Sequence, residues 1–329
     1  MILGLVMLQL TPEWRKSASG YTSNQESQPV TVLMAVHQGA SHLEEQLDSL
    51  TAQEHEHWQL VVSIDGEDDG CAKIIENHAA SNRISQISGP GKGAAANFLH
   101  LMRQVDPGNY WAFSDQDDFW LPHKLSRAIE RLEEVSWNTP AMYHSRCLIT
   151  DDSLDNHRIS PARPKPPSFA NALVQNIAGG NTIVLNPAAS RLVHAAAQDV
   201  DDVTVHDWWL YQLITGAGGV VVHDDAPSLL YRQHGANLIG ANDGMRARAR
   251  RLRMVMDGTY KGWMETNLKA LKTCAPYFTP ENRRLLRRVM AARRQPLAVR
   301  MKMLREAGIH RQTQFANSIM WVSVALGRL

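Results

Sequence analysis

Three predominantly apolar runs of strand length constrain this chain most: Val30–Val36 (VTVLMAV), Trp58–Ile64 (WQLVVSI) and Tyr110–Phe113 (YWAF). A strand with one wet face alternates apolar and polar residues, whereas a run that is apolar throughout must be covered on both faces. The segments between these runs carry helical spacing. Ser41 is placed as an N-cap, with Glu44 three residues on completing a capping box, and Leu43, Leu47 and Leu50 mark one face of the helix that follows. A second helix is expected around 72–80, a short strand near 84–87, and a helix from Ala94 to Val105 behind Gly89-Pro90-Gly91-Lys92-Gly93. Such alternation predicts an α/β fold with a mostly parallel sheet flanked by helices. Ligands of such sheets bind beyond the carboxyl ends of the strands.

Farther along, Pro161, Pro164, Pro166 and Pro167 make 159–167 a connection that resists regular structure. A helix over 169–175, a Gly179-Gly180-Asn181 turn, a strand over 182–185, helices over 187–197 and 207–214, and a last core strand over 219–223 complete this part. The 329 residues are enough for one large core or two modest ones, and 44% hydrophobic with 20% charged residues is a soluble, globular composition. No apolar run approaches the ~20 residues of a membrane-spanning helix. Met1 to Leu10 is apolar, but Glu13 follows and no small-residue cleavage site separates it from the polar stretch after it, so 1–28 reads as a poorly ordered leader. Cys71, Cys147 and Cys274 are far apart and odd in number, which argues against a disulfide framework or a zinc site and fits a reducing cytoplasm.

The polar residues gather where the topology puts a ligand. His37, Asp65, Lys92 and Asp115–Asp118 each follow an expected strand or open the next helix. Ser114-Asp115-Gln116-Asp117-Asp118-Phe119-Trp120 holds three carboxylates in four residues. Like charges at that density raise one another's pKa, and a divalent cation such as Mg²⁺ or Mn²⁺, which favours oxygen ligands, relieves the repulsion. Taken alone, the cluster reads as a solvated acidic loop. Gly91-Lys92-Gly93 before a helix suits a phosphate, because the backbone can approach closely and the helix N-terminus favours an anion. The spacing is not that of a P-loop, and no G-x-G-x-x-G follows the first strand, which argues against a dinucleotide oxidoreductase.

In combination and in order, the motifs resemble the family 2 inverting glycosyltransferases of the GT-A fold. The segments that carry the resemblance are VTVLMAVHQGASHLEEQLDSLTAQ, VVSIDGEDDG, GPGKGAAANFL, YWAFSDQDDFWLPHKL, AGGNTIVLN, HDWWLYQL and LLYRQHGAN, over about 29–240. SDQDDFW and HDWW look closest to rhamnosyltransferase-like members. The resemblance implies a catalytic domain over 29–242 that moves a sugar from a dTDP- or UDP-sugar, L-rhamnose among the candidates, to a glycan or lipid-linked glycan. It implies nucleotide-sugar contacts from Ala35, His37, Asp65, Lys92, Asp115 and Gln116. Ile64 stands where the family often has a further acid. Asp115-Gln116-Asp117 is the D-x-D, with Asp117 the direct metal ligand, Asp115 beside metal and ribose, Asp118 in support, and His234 completing the metal shell. The cofactor implied is Mn²⁺ or Mg²⁺, which would neutralise charge building on the departing diphosphate. Asp207 of His206-Asp207-Trp208-Trp209 matches the base that takes the acceptor hydroxyl's proton. Gly180 and Asn181 would shape the acceptor floor, and Trp208 and Trp209 would either stack on acceptor sugars or pack in the core. Arg232 would meet the diphosphate or neutralise Asp224 and Asp225.

From Met245 to Leu329 the chain carries 19 Lys and Arg against 4 Asp and Glu, although the net charge of the whole is only +1. This basic helical region, assigned to 243–329, suits an anionic membrane surface, which would make the enzyme cytoplasmic and peripheral at the membrane's cytoplasmic face. The same helices could instead pack on the catalytic domain with their arginines solvated. Two other functions compete: a nucleotidyltransferase acting on sugar phosphates, and a nucleic-acid-binding protein using the basic tail. The second leaves the acidic cluster and Asp207 unexplained, and no nucleic acid is expected as a partner.

Overall fold

The three apolar runs form the middle of one sheet. The computed structural model describes residues 28–233, 253, 254 and 256–328. Its strands are β1 Val30–Val36, β2 Trp58–Ile64, β3 Ile84–Ser88, β4 Tyr110–Ser114, β5 Phe119–Trp120, β6 Ala141–Thr150, β7 Arg158–Ile159, β8 Val184–Leu185 and β9 Val220–Arg232. They lie in the order β3-β2-β1-β4-β8-β6-β9-β5, with β7 beside β6. β1 pairs in parallel with β2, from Val30 opposite Trp58 to Val36 opposite Ile64, and also with β4. The short β8 runs antiparallel to both β4 and β6, so β6 and its parallel neighbour β9 point the same way as β1. The sheet is therefore mixed. Its six longer strands share one direction, and the two-residue strands β5, β7 and β8 oppose them. All six long strands end at one edge, which becomes the floor of a single site.

The helices are α1 Leu43–Thr51, α2 Cys71–Asn77, α3 Ala94–Gln104, α4 Lys124–Glu133, α5 Phe169–Ala172, α6 Pro187–Asp199, α7 His206–Gly216, α8 Thr259–Cys274, α9 Pro280–Ala292, α10 Leu297–Glu306 and α11 Gln314–Ala325. Alternation along β1 decides which helices cover which face. Val32 and Met34 point into a core with Leu43, Leu47, Leu125 and Ile129, which are residues of α1 and α4. Leu33 points the other way, into a larger core with Phe98, Val193, Trp209 and Ile214 of α3, α6 and α7. Met264, Leu268 and Leu271 of α8, Leu286 and Val289 of α9, Leu304 of α10, and Met320 and Val324 of α11 join this second core. The basic C-terminal helices thus pack on the helical layer of the sheet. Among the described residues no helix is long and apolar enough to cross a membrane.

The structure corrects several local expectations. No side chain caps α1: His42 and Leu43 both donate their N–H to the Gly39 carbonyl at 3.1 Å, so a turn at Gly39 replaces the expected Ser41–Glu44 box. The strand expected over 182–185 is a 3₁₀ turn, Gly180–Thr182, followed by only two strand residues. The last strand continues nine residues past His223, to Arg232. Between the acidic segment and the proline-rich connection, the ten-residue β6 and the amphipathic α4 form elements that the apolar-run criterion passes over.

Candidate active site

Each loop leaving a parallel strand is tied to its neighbour by side chains of the motif residues. After β1, the exposed His37 sends Nδ1–H to the Asp65 carbonyl at 2.7 Å. The Gln116 carboxamide grips the same residue from the other side: Oε1 accepts from His37 N–H at 2.6 Å and Nε2 donates to the His37 carbonyl at 2.9 Å. Asp65, buried at the end of β2, accepts from the N–H groups of Gly91 at 2.5 Å and Gly93 at 2.8 Å. Asp65 and Gln116 thus hold backbone and set the shape of the floor. Ala35 is the one partly exposed residue of β1, and Lys92 stands exposed at the start of α3. Gly93, with φ 85°, opens that helix without a side-chain cap.

The acidic segment leaves β4 and turns inward. Asp118 is fully buried, with Oδ2 accepting from Asn181 Nδ2 at 2.6 Å. Its Oδ1 has no hydrogen-bond partner. Opposite lies a residue that the sequence reading did not single out. Lys124, the first residue of α4, has no exposed surface, a rare state for lysine. Its Nζ donates to the Asn181 carbonyl at 2.6 Å and sits 4.2 Å from the centre of the Trp120 ring. Asn181 therefore joins a buried cation to a buried carboxylate. Burial pulls the Lys124 ammonium down to about 7, held from falling further chiefly by the charge of Asp118. Burial likewise pushes Asp118 well above the usual carboxylate range, and Asp115 and Asp117 add to the rise. Asp115 is pushed up to about 7 by burial, then by the charges of Asp117 and Asp207. The start of α7, some ninety residues downstream, thus shares the electrostatic field of the D-x-D.

That downstream residue is singular in its helix. Of the eleven residues of α7, ten are buried, and Asp207 alone is not. Its Oδ1 accepts from Trp208 N–H at 2.6 Å, and Asn176 and the Gly180 backbone also hydrogen-bond its carboxylate. Removal from water outweighs these bonds and lifts Asp207 to about 6. Gly180 permits the contact: a Cβ there would stand 2.5 Å from His206 Nε2 and 3.5 Å from Asp207 Cβ. His206 cannot yield, because its ring stacks on Phe98 at 3.7 Å.

Three further expectations resolve differently. Trp208 and Trp209 are 3% and 0% exposed, and Trp208 Nε1 donates to the Ala172 carbonyl, so both belong to the core and neither offers a face to a sugar. Asn181 turns its amide to Asp118 and is itself buried. Arg232 pairs with neither Asp224 nor Asp225. It donates to the Asp117 carbonyl at 2.9 Å and also binds the Asp152 carbonyl and Glu45, fastening β9 to the acidic loop. Asp224 is instead taken by Arg127 at 2.6 Å and Tyr143 at 3.1 Å. His234 lies outside the described residues.

The oxygen-only donor set of Asp115 and Asp117, with the unpartnered Asp118 oxygen behind it, suits a hard divalent cation. Among the described residues these carboxylates do not by themselves close a three-ligand group. Asp68, Asp69 and Cys71 do come together within 4.8 Å, but they form the start of α2. Asp68 Oδ1 accepts from Gly70 and Ala72 N–H, Asp69 Oδ1 accepts from the Cys71 thiol, and that thiol is pushed up to about 12, chiefly by burial. A thiol kept protonated is a poor ligand.

Comparison with known proteins agrees with this geometry. Glycosyl transferase family 2 matches residues 31–179, which run from β1 to the Gly179 turn. The dTDP-rhamnosyl transferase RfbG of Shigella flexneri is 28% identical over 239 residues, 69% of this chain and 81% of that protein. The UDP-Glc:alpha-D-GlcNAc-diphosphoundecaprenol beta-1,3-glucosyltransferase WfgD of Escherichia coli is 23% identical over 172 residues, half of this chain and 65% of that one. Among solved structures, S. aureus TarS 1–349 in complex with UDP-GlcNAc superposes with a TM-score of 0.53 at 10% identity, covering 91% of this chain and 90% of the other, a likeness of fold. The family match, a sheet with all its long strands ending at one acidic edge, and glycosyltransferases among the relatives together identify residues 31–179 as a glycosyltransferase family 2 domain on a GT-A fold.

Proposed function

We propose that the chain transfers a sugar, with inversion, from a dTDP- or UDP-sugar to a glycan or lipid-linked glycan acceptor, and that L-rhamnose is the sugar. The observation that carries this reading is the convergence of Asp207 on the D-x-D: its charge raises Asp115, and it is the one residue of α7 not packed into the core. Asp207, lifted to about 6, is basic enough to take an acceptor hydroxyl's proton and ionised at neutral pH. Asp115 and Asp117 would hold Mn²⁺ or Mg²⁺, with His234 as a further ligand, and the cation would offset the charge of the departing diphosphate. His37, Ala35 and the Asp65-braced loop that carries Lys92 face the nucleotide. Gly180 and the buried Asn181 support the acceptor side. The rhamnosyl donor is favoured by RfbG, and a lipid-linked acceptor by the diphosphoundecaprenol named for WfgD. Three free cysteines accord with a cytoplasmic enzyme.

The test pairs two measurements on one folded variant. Asp207→Asn keeps the size and most hydrogen bonds but removes the proton-accepting charge. Transfer of radiolabelled rhamnose from dTDP-rhamnose with Mn²⁺ should fall about 10²–10⁴-fold, while dTDP affinity stays within twofold. Loss of both would make Asp207 a donor-site or structural residue, and a rate close to wild type would remove it as the base.

A further inference from the structure

A cleft of about 470 Å³ lies in the C-terminal helices, away from the D-x-D residues. Lys261, Lys269 and Lys272 of α8, Arg293 and Arg294 behind α9, and Arg300 of α10 line it, against a single acid, Glu265. Glu265 is shared between Lys261 at 3.9 Å and Arg293 at 3.6 Å, and Lys269 meets Asp201 at 3.2 Å through an exposed pair. Arg300 is fixed by the carbonyls of Val324 and Gln295, which orient it without cancelling its charge. Neither Lys272 nor Arg294 pairs with a carboxylate among the described residues. Cations held this close repel one another unless an anion joins them. The chain's net charge of +1 cannot account for the excess, so it is local.

The walls identify the class of anion. Met290, partly exposed above the buried Leu268 and Leu304, gives the cleft an apolar wall that an inorganic ion has no use for. Leu297, which shares a helical face with Arg300 and Leu304, is 49% exposed, and Leu326, next to the lining residue Gly327, is 50% exposed. A cationic cleft bordered by exposed leucines matches an amphiphile, with phosphate among the lysines and arginines and hydrocarbon against the leucines. We propose that this cleft binds the phosphorylated head of an anionic lipid and seats the C-terminal helices on a membrane surface. The cleft's chemistry is independent of which sugar is transferred, so vesicle binding and rhamnose transfer can fail separately.

The full chain is sedimented with phosphatidylcholine vesicles containing about one-third phosphatidylglycerol, and with pure phosphatidylcholine. Binding to the anionic vesicles alone, weakening with salt, is the expected result. The cleft variant K272E/R294E should then lose affinity about tenfold or more. R283E/R287E changes net charge equally on exposed arginines that do not line the cleft, and should stay within about threefold of wild type. Equal losses in the two variants would overturn the cleft as the site and leave only general charge attraction. K272Q/R294Q, which removes charge without adding any, should show the same ranking if the reversal variant does not fold. Inorganic pyrophosphate that raises the melting temperature through Lys272 and Arg294, with no vesicle binding by the wild type, would assign the cleft to a soluble phosphate and overturn the lipid.

Discussion

At the scale of single residues, the site keeps carboxylates where burial opposes their charge. Asp207 in the folded chain has its pKa raised to about 6, against 3.8 ordinarily. The folded state therefore binds its proton more readily than the unfolded state, and ionising Asp207 at neutral pH costs stability that returns as pH falls through 6 towards 3.8. A base of this kind gives a defined limb: kcat/KM for the acceptor should fall about tenfold per unit below pH 6. A profile flat to pH 5 would exclude Asp207. His206, next door, has the opposite sense. Burial lowers it to about 3, so it is neutral when folded, and stability is lost as pH drops below 6.5 towards 3. Lys124 is the residue that sequence reasoning missed. It lies within the family-like YWAFSDQDDFWLPHKL segment, four residues after Trp120, but nothing in one sequence marks a lysine as buried. Lys124→Met keeps the volume and removes the cation facing Asp118. Urea unfolding at pH 6, below the value of about 7 at which Lys124 titrates, should show a loss of about 3 kcal/mol. Stability equal to wild type would mean that the buried Asp118 needs no cation beside it.

At the scale of elements, legibility followed the uniformity of the burial. β1 and β4 are buried on both faces, β2 nearly so with only Gln59 exposed, and all three read directly as apolar runs. β6 is just as central but carries Ser145 and Arg146, which bond Ser228 of β9 and the Ser160 carbonyl beyond β7, and His144, whose ring lies 4.6 Å from that of His223, contacts that a linear sequence does not display. The D-x-D and Asp207 could be singled out as candidates because each stands at an element boundary, where the resemblance and the topology agree. The packing of Trp208 and Trp209 could not be read, because α7 is covered all round, and an apolar helix gives no hint of which side is wet. The Gly180 turn against α7 is the closest such approach near Asp207. Gly180→Ala would force a methyl group onto His206, which Phe98 pins from behind. Overpacking of this sort costs about 1–3 kcal/mol. The melting temperature should drop, and the acceptor KM should rise while donor affinity holds. Melting and KM both unchanged would show that the turn can shift away.

At the scale of the whole molecule, the charge division along the sequence does not coincide with a structural one. The division at 242/243 follows electrostatics, whereas the larger core runs straight across it, from Phe98 and Trp209 to Met264, Val289 and Met320. Phe278 is the clearest link. It meets Phe169 edge-on at 5.2 Å, and a Cβ on Gly216 at the end of α7 would lie 2.7 Å from its ring. The turn around it is locked as well, since Asn282 donates to the carbonyls of Thr215 and Gly216 at 3.0 Å. The basic helices therefore support α7, which carries Asp207, while their charged side forms the cleft. Phe278→Ala should destabilise the chain by about 3–5 kcal/mol, and lower transfer through population of unfolded chain, with activity restored at lower temperature. A chain ending near Asn242 would leave Phe169, Trp209 and Ile214 without their cover. It should lack a cooperative melting transition by circular dichroism and elute as aggregate. A soluble, cooperatively folding product of that length would show the C-terminal helices to be an independent module, and would remove their role in holding Asp207 in place.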